Sequence, residues 1–167
     1  ITITFILDNS INLGISSVSL ILDVDDYNQV QNSLVLNELL FDPFISVFNS
    51  EANGDVTYVQ NEVEFIDLVN IGSSSIDLSG YKVFDASALA SNSPRHVFPS
   101  GEVLPVGGVY VLFGGGAPTG SFGGAIVSTT STGMMNLNNS GDMLTIVNAQ
   151  DSVLIQFDIT PLSDNPN

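Results

Sequence analysis

Residues 51–62 have the residue types and the spacing that a calcium ion requires. An EF-hand loop gathers oxygen ligands from positions 1, 3, 5, 7 and 12 of a twelve-residue segment. The residues at those positions are Glu51, Asn53, Asp55, Thr57 (through its carbonyl) and Glu62. Position 1 is Glu where Asp is usual, and position 6, where the turn needs Gly, is Val56. A calcium site and a solvated acidic loop are both open interpretations of this segment.

A second acidic group, Asp23, Asp25 and Asp26, follows a stretch of alternating apolar residues. It predicts either another cation site or a charged turn at the end of a strand. The one histidine, His96, stands beside Arg95, and no nucleophile completes a catalytic arrangement, so we expect a structural or surface role for both. The sequence therefore predicts no catalytic residue and no enzyme.

Three aromatic residues, Phe48, Tyr58 and Phe122, are candidates for contact with a ligand because they lie in polar or glycine-rich segments predicted to be loops. Aromatic rings exposed on loops would favour a module that binds carbohydrate or a cell-surface polymer, with or without calcium. The glycines of 114–124 are not followed by a GK[ST] motif, so they do not indicate a phosphate-binding loop.

The charge of the chain excludes some partners. Asp and Glu total 18 and Lys and Arg total 2, which gives a formal net charge of −16. Phosphate contacts need Lys or Arg, so we expect no nucleic-acid binding by this chain alone. The longest apolar run, 103–117, is broken by Pro105 and several glycines, which predicts no membrane insertion. Without cysteine there are no disulfides and no thiolate metal sites.

The apolar pattern predicts strands along nearly the whole chain. Apolar residues alternate with polar ones through residues 1–24, which indicates a hairpin or two neighbouring strands. Further strands are predicted at 34–41, 65–69, 76–84, 109–113, 143–147 and 153–159, and polar loops at 49–62 and 86–96. Short strands separated by frequent turn signals indicate an all-β sandwich or barrel.

Five sequence blocks follow one another in a characteristic order: VLNELLFDP (35–43), EFIDLVN (64–70), IDLSGY (76–81), VFPSGEVLPVGGVYVLF (97–113) and LNNSGDMLTI (137–146). Together they resemble the lamin tail domain family over about residues 34–160, and the glycine-rich passage is similar to that of its bacterial branch. Tyr81 stands where that family often has Trp.

The resemblance implies an immunoglobulin-like antiparallel β-sandwich without catalytic activity. It implies a structural or interaction module of an exported bacterial protein, secreted or at the cell surface. Such a module would tether a larger assembly through a protein, a cell-surface polymer or neighbouring domains of the same precursor. Residues 1–33 would be an N-terminal hairpin and linker, and 161–167 a flexible tail. Polar residues of the matching strands, Asn37, Glu38, Glu64 and Asn70, would satisfy hydrogen-bond donors inside the sandwich.

Overall fold

The computed structural model describes residues 33–41 and 52–160 in full, and residues 2–5 and 18–21 as backbone. The chain divides into two units, 1–32 and 33–167. In the first unit, β1 (Thr2–Phe5) pairs antiparallel with β2 (Val18–Ile21), with Thr2 opposite Ile21. This pairing confirms the strands predicted from the alternation in residues 1–24.

The described residues of the second unit form two four-stranded sheets and one two-stranded sheet. The first sheet has the order β10 (Ile126–Thr129), β9 (Val109–Phe113), β4 (Phe65–Asn70) and β3 (Leu34–Leu40). The second has the order β12 (Val153–Asp158), β11 (Met143–Val147), β6 (Lys82–Phe84) and β7 (His96–Val97). The small sheet pairs β5 (Ile76–Asp77) with β8 (Val103–Leu104). All pairs are antiparallel except β9 with β10.

Strand β4 shows how the sequence pattern becomes a buried sheet. It lies between β3 and β9, so both of its edges are hydrogen-bonded. Ile66 and Leu68 are fully buried, whereas Phe65, Asp67 and Val69, which alternate with them, are half-buried. Side chains of alternate residues point to opposite faces of a strand, so one face of β4 joins the core. The core consists of Leu34, Ile66, Leu68, Leu78, Val83, Phe98, Leu104, Tyr110, Leu112, Met135, Leu137, Leu144, Ile146 and Ile159.

The segment 86–96, predicted to be a loop, contains a short helix, α2 (Ala86–Ala90). The prediction failed because five helical residues are too few to show a helical period. The helix is fixed at its start by Asp85, whose carboxylate accepts a hydrogen bond from the Ala88 N–H at 2.6 Å. A carboxylate at this position satisfies an otherwise unpaired amide of the first turn. Similarly, the predicted loop 49–62 ends in one helical turn, α1 (Gln60–Val63).

The expectation that Asn37 and Glu38 lie inside the sandwich was wrong. Both side chains are exposed on β3, an edge strand whose register shifts between Leu36 and Glu38. The irregularity turns this part of the strand toward solvent, and the Asn37 amide donates to Asp67 at 3.2 Å on the neighbouring strand. An exposed charge and a bulge are common ways to protect an edge strand from further pairing.

Candidate functional site

Three of the residues predicted to bind calcium lie together in the structure. The side chains of Asn53, Asp55 and Glu62 all approach Gly116: a Cβ atom built there would meet Asn53 Nδ2 at 2.4 Å, Asp55 Oδ2 at 2.5 Å and Glu62 Oε2 at 3.5 Å. Gly116 has a φ of 74°, and any side chain would fill the space that these polar groups share. The loop 52–62 therefore closes on the glycine-rich segment 114–117.

Backbone contacts hold the two segments together. The Gly115 N–H donates to the Glu62 carbonyl at 3.1 Å, and the Thr119 N–H donates to the Asn53 carbonyl at 2.8 Å. Gly114 allows the closest approach, because its Cβ would lie 1.8 Å from the Asn61 carbonyl oxygen. These glycines are required by close packing, in addition to the turns that the sequence indicated.

Asp55 is the best-connected carboxylate in this group. Its Oδ2 accepts from the Ala117 N–H at 2.9 Å and from Asn53 Nδ2 at 3.1 Å, and its Oδ1 accepts from the Thr57 N–H at 2.9 Å. The amide of Ala117, followed by that of Thr57, holds the pKa of Asp55 below its ordinary value. The carboxylate is therefore ionised at neutral pH.

The calcium hypothesis extends beyond these three residues. Glu51, at the first ligand position, lies outside the described residues, as do Phe48 and the acidic group Asp23, Asp25 and Asp26. In residues 33–41 and 52–160, no three Asp, Glu or His side chains are gathered closely enough to hold a metal ion. The loop supplies two carboxylates and one amide, and the hypothesis stays a prediction.

Val56 occupies the loop position where the calcium motif has glycine. Its φ is 63°, and the residue is 90% exposed. The left-handed conformation costs an ordinary residue about 1–2 kcal/mol, and a β-branched residue adopts it least readily. The loop thus keeps the backbone turn of the motif although the residue that favours this turn is missing.

The substitution Val56→Gly is expected to raise the free energy of unfolding by about 0.5–1 kcal/mol. Relief of the backbone strain exceeds the entropy that glycine adds to the unfolded chain, which is about 0.4–1 kcal/mol. Urea denaturation measures the change. The matched control is Val59→Gly, because Val59 has an extended φ of −129° and no such strain to release. A loss of stability in both variants would contradict the strain at Val56.

A second group of polar residues, which the sequence analysis did not recognise, surrounds an open cavity of about 550 Å³. The cavity lies beside α2, the turn 136–143 and the end of β12. Three separate segments of the chain build it, so no local motif indicates it. The polar residues that line it include Asp85, Ser87, Asn136, Asn138, Asp142 and Asp158.

Asp85 is the central hydrogen-bond acceptor of this group. Its Oδ2 accepts from Arg95 Nη2 at 2.7 Å and Nε at 3.1 Å, and from Asn136 Nδ2 at 3.3 Å. Burial acts to raise the pKa of Asp85, but the hydrogen bonds from Arg95, Ala88 and Asn136 outweigh it and lower the pKa. Asp85 therefore carries a charge that Arg95 balances.

Two other carboxylates of the cavity also accept hydrogen bonds from the backbone. Asp142 accepts from the Ala86 N–H at 2.9 Å, which ties the turn 136–143 to the start of α2. Asp158 accepts from the Thr160 N–H at 2.9 Å, and the Thr160 hydroxyl and amide lower its pKa. The described part of the chain has only two ion pairs, Arg95–Asp85 and Lys82–Asp151, so Asp142 and Asp158 are paired with no basic side chain.

Of the two roles expected for His96, structural or surface, its burial favours the structural one. It is 3% exposed, its ring lies edge-on to Phe98 with centroids 4.6 Å apart, and Nδ1 is 3.2 Å from the Ser131 hydroxyl. Within the described residues, Nε2 has no hydrogen-bond partner. Burial lowers the pKa of His96 to about 4, so the ring is neutral at physiological pH.

Two polar residues of the family-like motifs accept hydrogen bonds from backbone donors inside the fold, as the sequence predicted. Asn70 is fully buried and donates to the carbonyls of Ser74, Leu104 and Pro105, while its Oδ1 accepts from the Gly72 N–H at 2.9 Å. Glu64 is 1% exposed and accepts from the Leu137 N–H at 3.2 Å. Both satisfy backbone groups within the fold.

The candidate aromatic residues are only partly available to a ligand. The Phe122 ring packs on Phe113 with centroids 5.4 Å apart, and Tyr58 is half-buried. A role for either residue in binding stays a prediction. No helix in the described residues has the length and apolar character to cross a bilayer.

Comparison with known proteins agrees with this architecture. The family model of the Lamin Tail Domain matches residues 28–160, and no curated protein matches the chain. The match confirms the resemblance found in the five sequence blocks and the predicted immunoglobulin-like β-sandwich. Proteins of this family are non-enzymatic immunoglobulin-like domains. The predicted division into 1–33, 34–160 and 161–167 stays a prediction.

Proposed function

The chain belongs to the lamin tail domain family, and from this premise we propose that it is a non-catalytic interaction module that tethers or displays a larger exported assembly. The observation that carries the proposal is the family match over residues 28–160. In accord with it, the buried polar side chains Asn70, Glu64 and Asp85 are used for hydrogen bonds within the fold.

The proposal places the protein outside a bacterial cell. The similarity of its glycine-rich passage to the bacterial branch of the family supports this location. A chain with 18 acidic and 2 basic residues also favours solubility and attracts cations and cationic partners. Its partner would be a protein or a cell-surface polymer, and neighbouring domains of the same precursor would be displayed or held by it.

Retention on bacterial envelopes tests this proposal. The chain is fused to a monomeric fluorescent protein and sedimented with envelope fragments. We expect at least tenfold more fluorescence in the pellet than with the fluorescent protein alone. Equal pelleting of the two would overturn the tethering role, and turnover of ester, phosphate or glycoside substrates by the purified chain would overturn its non-catalytic character.

A second candidate function is a calcium-stabilised interaction loop. The convergence of Asn53, Asp55 and Glu62 on Gly116 favours it, because these side chains come from both ends of the predicted ligand loop. In this proposal Glu51 and the Thr57 carbonyl complete the oxygen set. The ion would neutralise charge in the loop and fix segment 52–62 against segment 114–117.

Addition of 5 mM calcium is expected to raise the melting temperature by about 3–6 °C relative to chelator. A dissociation constant of about 0.1–1 mM, typical of extracellular calcium modules, gives about 1–2 kcal/mol of stabilisation at that concentration. Differential scanning calorimetry measures the shift. Glu62→Gln removes one proposed ligand and should abolish most of it, whereas Asp151→Asn should not. An unchanged melting temperature in the unsubstituted protein would exclude calcium.

A further inference from the structure

Among the strands that the structure describes, β12 is an outer strand of the second sheet, because β11 is its one hydrogen-bonded neighbour there. The Ile159 N–H donates to the Asp142 carbonyl at 3.0 Å, so these two residues form a hydrogen-bonded pair. Hydrogen-bonded and non-hydrogen-bonded pairs alternate along an antiparallel ladder. The next non-hydrogen-bonded positions of β12 are Asp158, opposite Met143, and Gln156, opposite Thr145. Gln156 and Asp158 therefore direct their N–H and carbonyl groups away from β11, to a side where none of the described strands pairs with them.

The two faces of this edge differ in character. Phe157 pairs with Leu144, a fully buried core residue, and so lies on the inner face, yet it remains 37% exposed. Gln156 and Asp158 lie on the opposite face. An additional strand along β12 would present alternate side chains to the exposed part of Phe157 and to the polar outer face.

Edge strands of the same unit differ in how well they are protected. Strand β3 has a bulge and the exposed Glu38, and β7 has two residues. Strand β12 is six residues long, and between Val153 and Phe157 it contains neither a charge nor a proline. Those features are the usual barriers to pairing with another chain. The fourth outer strand of the two four-stranded sheets, β10, also lacks them but has only four residues, so β12 offers the longest unprotected edge of the four.

The acidic cavity begins where β12 ends. Asp158 lines it from the outer face of the strand, and Asp142 lines it from the adjoining turn. Both basic side chains of the chain, Lys82 and Arg95, already form ion pairs with other carboxylates. The cavity thus contributes two carboxylates that have no basic partner, Asp142 and Asp158. They lie on the side of β12 toward which every second side chain of an added strand would point.

We propose that β12 binds an extended segment of a partner protein whose residues alternate between apolar and basic. The segment pairs with the backbone of Gln156 and Asp158, places its apolar side chains against Phe157, and extends its Lys or Arg side chains into the cavity lined by Asp142 and Asp158. In strand addition of this kind, main-chain hydrogen bonds provide the affinity, and the contacts of alternate side chains provide the specificity. The inference rests on the proposed function and identifies the chemistry of the partner.

The charge of the chain favours this partner over a second copy of itself. Each copy has a formal charge of −16, and neither has a free Lys or Arg for the cavity of the other. Like charges oppose association, whereas a basic segment is attracted to the acidic face.

Binding of a synthetic nonapeptide of alternating Val and Lys tests the inference. Fluorescence anisotropy at low salt should give at least tenfold tighter binding than the same peptide with Glu in place of Lys. The bound lysine peptide should slow amide hydrogen exchange at Gln156 and Asp158 at least tenfold. Both measurements use the unsubstituted protein. Equal binding of the two peptides, or slower amide exchange only at residues outside β12, would overturn the inference.

Two variants locate the contact. Gln156→Pro removes an N–H that makes no bond to β11 and should weaken binding at least tenfold, whereas Gln156→Val keeps that N–H and should stay within twofold. Asp158→Asn keeps an oxygen for Thr160 and should weaken binding of the lysine peptide about threefold. Tight binding to a folded Gln156→Pro variant would refute pairing at β12, and dimerisation of the chain through β12 would refute the choice of partner.

The envelope assay separates this inference from the proposed function. The Gln156→Pro variant could lose peptide binding and still be retained on envelope fragments. In that case β12 is not the tethering contact, so the inference fails while the proposed tethering function stands. Peptide binding without retention of the unsubstituted chain would overturn the tethering role and leave the peptide site in place.

Discussion

Asp85→Ala is expected to lower the free energy of unfolding by about 3–4 kcal/mol, the largest loss from any single substitution considered for this chain. The Asp85 side chain is 1% exposed and pairs with Arg95, whose side chain is 19% exposed. Removal of one partner from a buried ion pair costs about 3–5 kcal/mol because the other charge is left without compensation. Arg95 regains some contact with water, which places the expected loss toward the lower part of that range.

The same substitution also removes the first hydrogen bond of α2. Asp85 Oδ1 accepts from the Ala88 N–H at 2.6 Å, and loss of such a cap costs about 1 kcal/mol by itself. Because Ala88 packs with Phe84 and Val147 on the outer face of the second sheet, loosening of α2 also uncovers that cluster. Faster amide exchange at Ala88 should therefore accompany the loss of stability.

Two controls distinguish the buried pair from an ordinary ion pair. Asp85→Asn keeps the size and the cap acceptor but removes the charge, so we expect a loss of about 2 kcal/mol. Asp151→Asn breaks the more exposed pair with Lys82 and should change stability by less than about 1 kcal/mol. Chemical denaturation at pH 7 measures all three variants, and similar losses in Asp85→Ala and Asp151→Asn would contradict the central role of Asp85.

The strands could be predicted because the apolar pattern that indicates each strand lies within that strand. In β4 and β11 the alternation or density of apolar residues reflects the buried faces directly. Helix α2 could not be predicted from a period, although the sequence Asp85 followed by Ala-Ser-Ala-Leu-Ala contains its cap and good helix formers. A helix of five residues can be recognised only from its N-terminal cap. The position of the Asp85 carboxylate depends on its contact with Arg95, ten residues away, which the local sequence does not show.

The candidate sites show a similar limit. The spacing of Asn53, Asp55 and Glu62 suggested a shared calcium site, and the three side chains do approach Gly116, but their binding of calcium stays a prediction. The spacing could not show that Gly116, more than fifty residues away, closes the loop, because that contact depends on the path of the whole sheet. The acidic cavity was missed for the same reason, since Asp85, Asp142 and Asp158 come from three distant segments.

His96 is expected to make the protein less stable between pH 6.5 and pH 4. The ordinary histidine pKa of about 6.5 applies to the unfolded chain, whereas burial lowers the pKa in the folded protein to about 4. In this pH range the histidine is protonated in the unfolded state and neutral in the folded state. The free energy of unfolding therefore rises with pH across the range. The contribution is fully present above pH 6.5 and is lost progressively as the pH falls toward 4.

The expected size of this loss is about 3 kcal/mol, since one pKa unit corresponds to about 1.4 kcal/mol. The carboxylates of this acidic chain also titrate near the lower limit, so the measurement is a difference between the unsubstituted protein and His96→Phe. Phe fills the space beside Phe98 and carries no ionisable group. The free energy of unfolding from urea titrations at pH 7, 6, 5 and 4 should fall more steeply for the unsubstituted protein than for the variant.

The geometry decides the sign of this difference. Nδ1 of His96 meets a neutral hydroxyl, Ser131, and within the described residues Nε2 has no acceptor that would stabilise a second proton. A carboxylate beside the ring would raise the pKa and make acid stabilising, which is the opposite result. Parallel pH profiles for the two proteins, or a His96 proton resonance that titrates near pH 6.5 in the folded state, would show that the ring is not held neutral by burial.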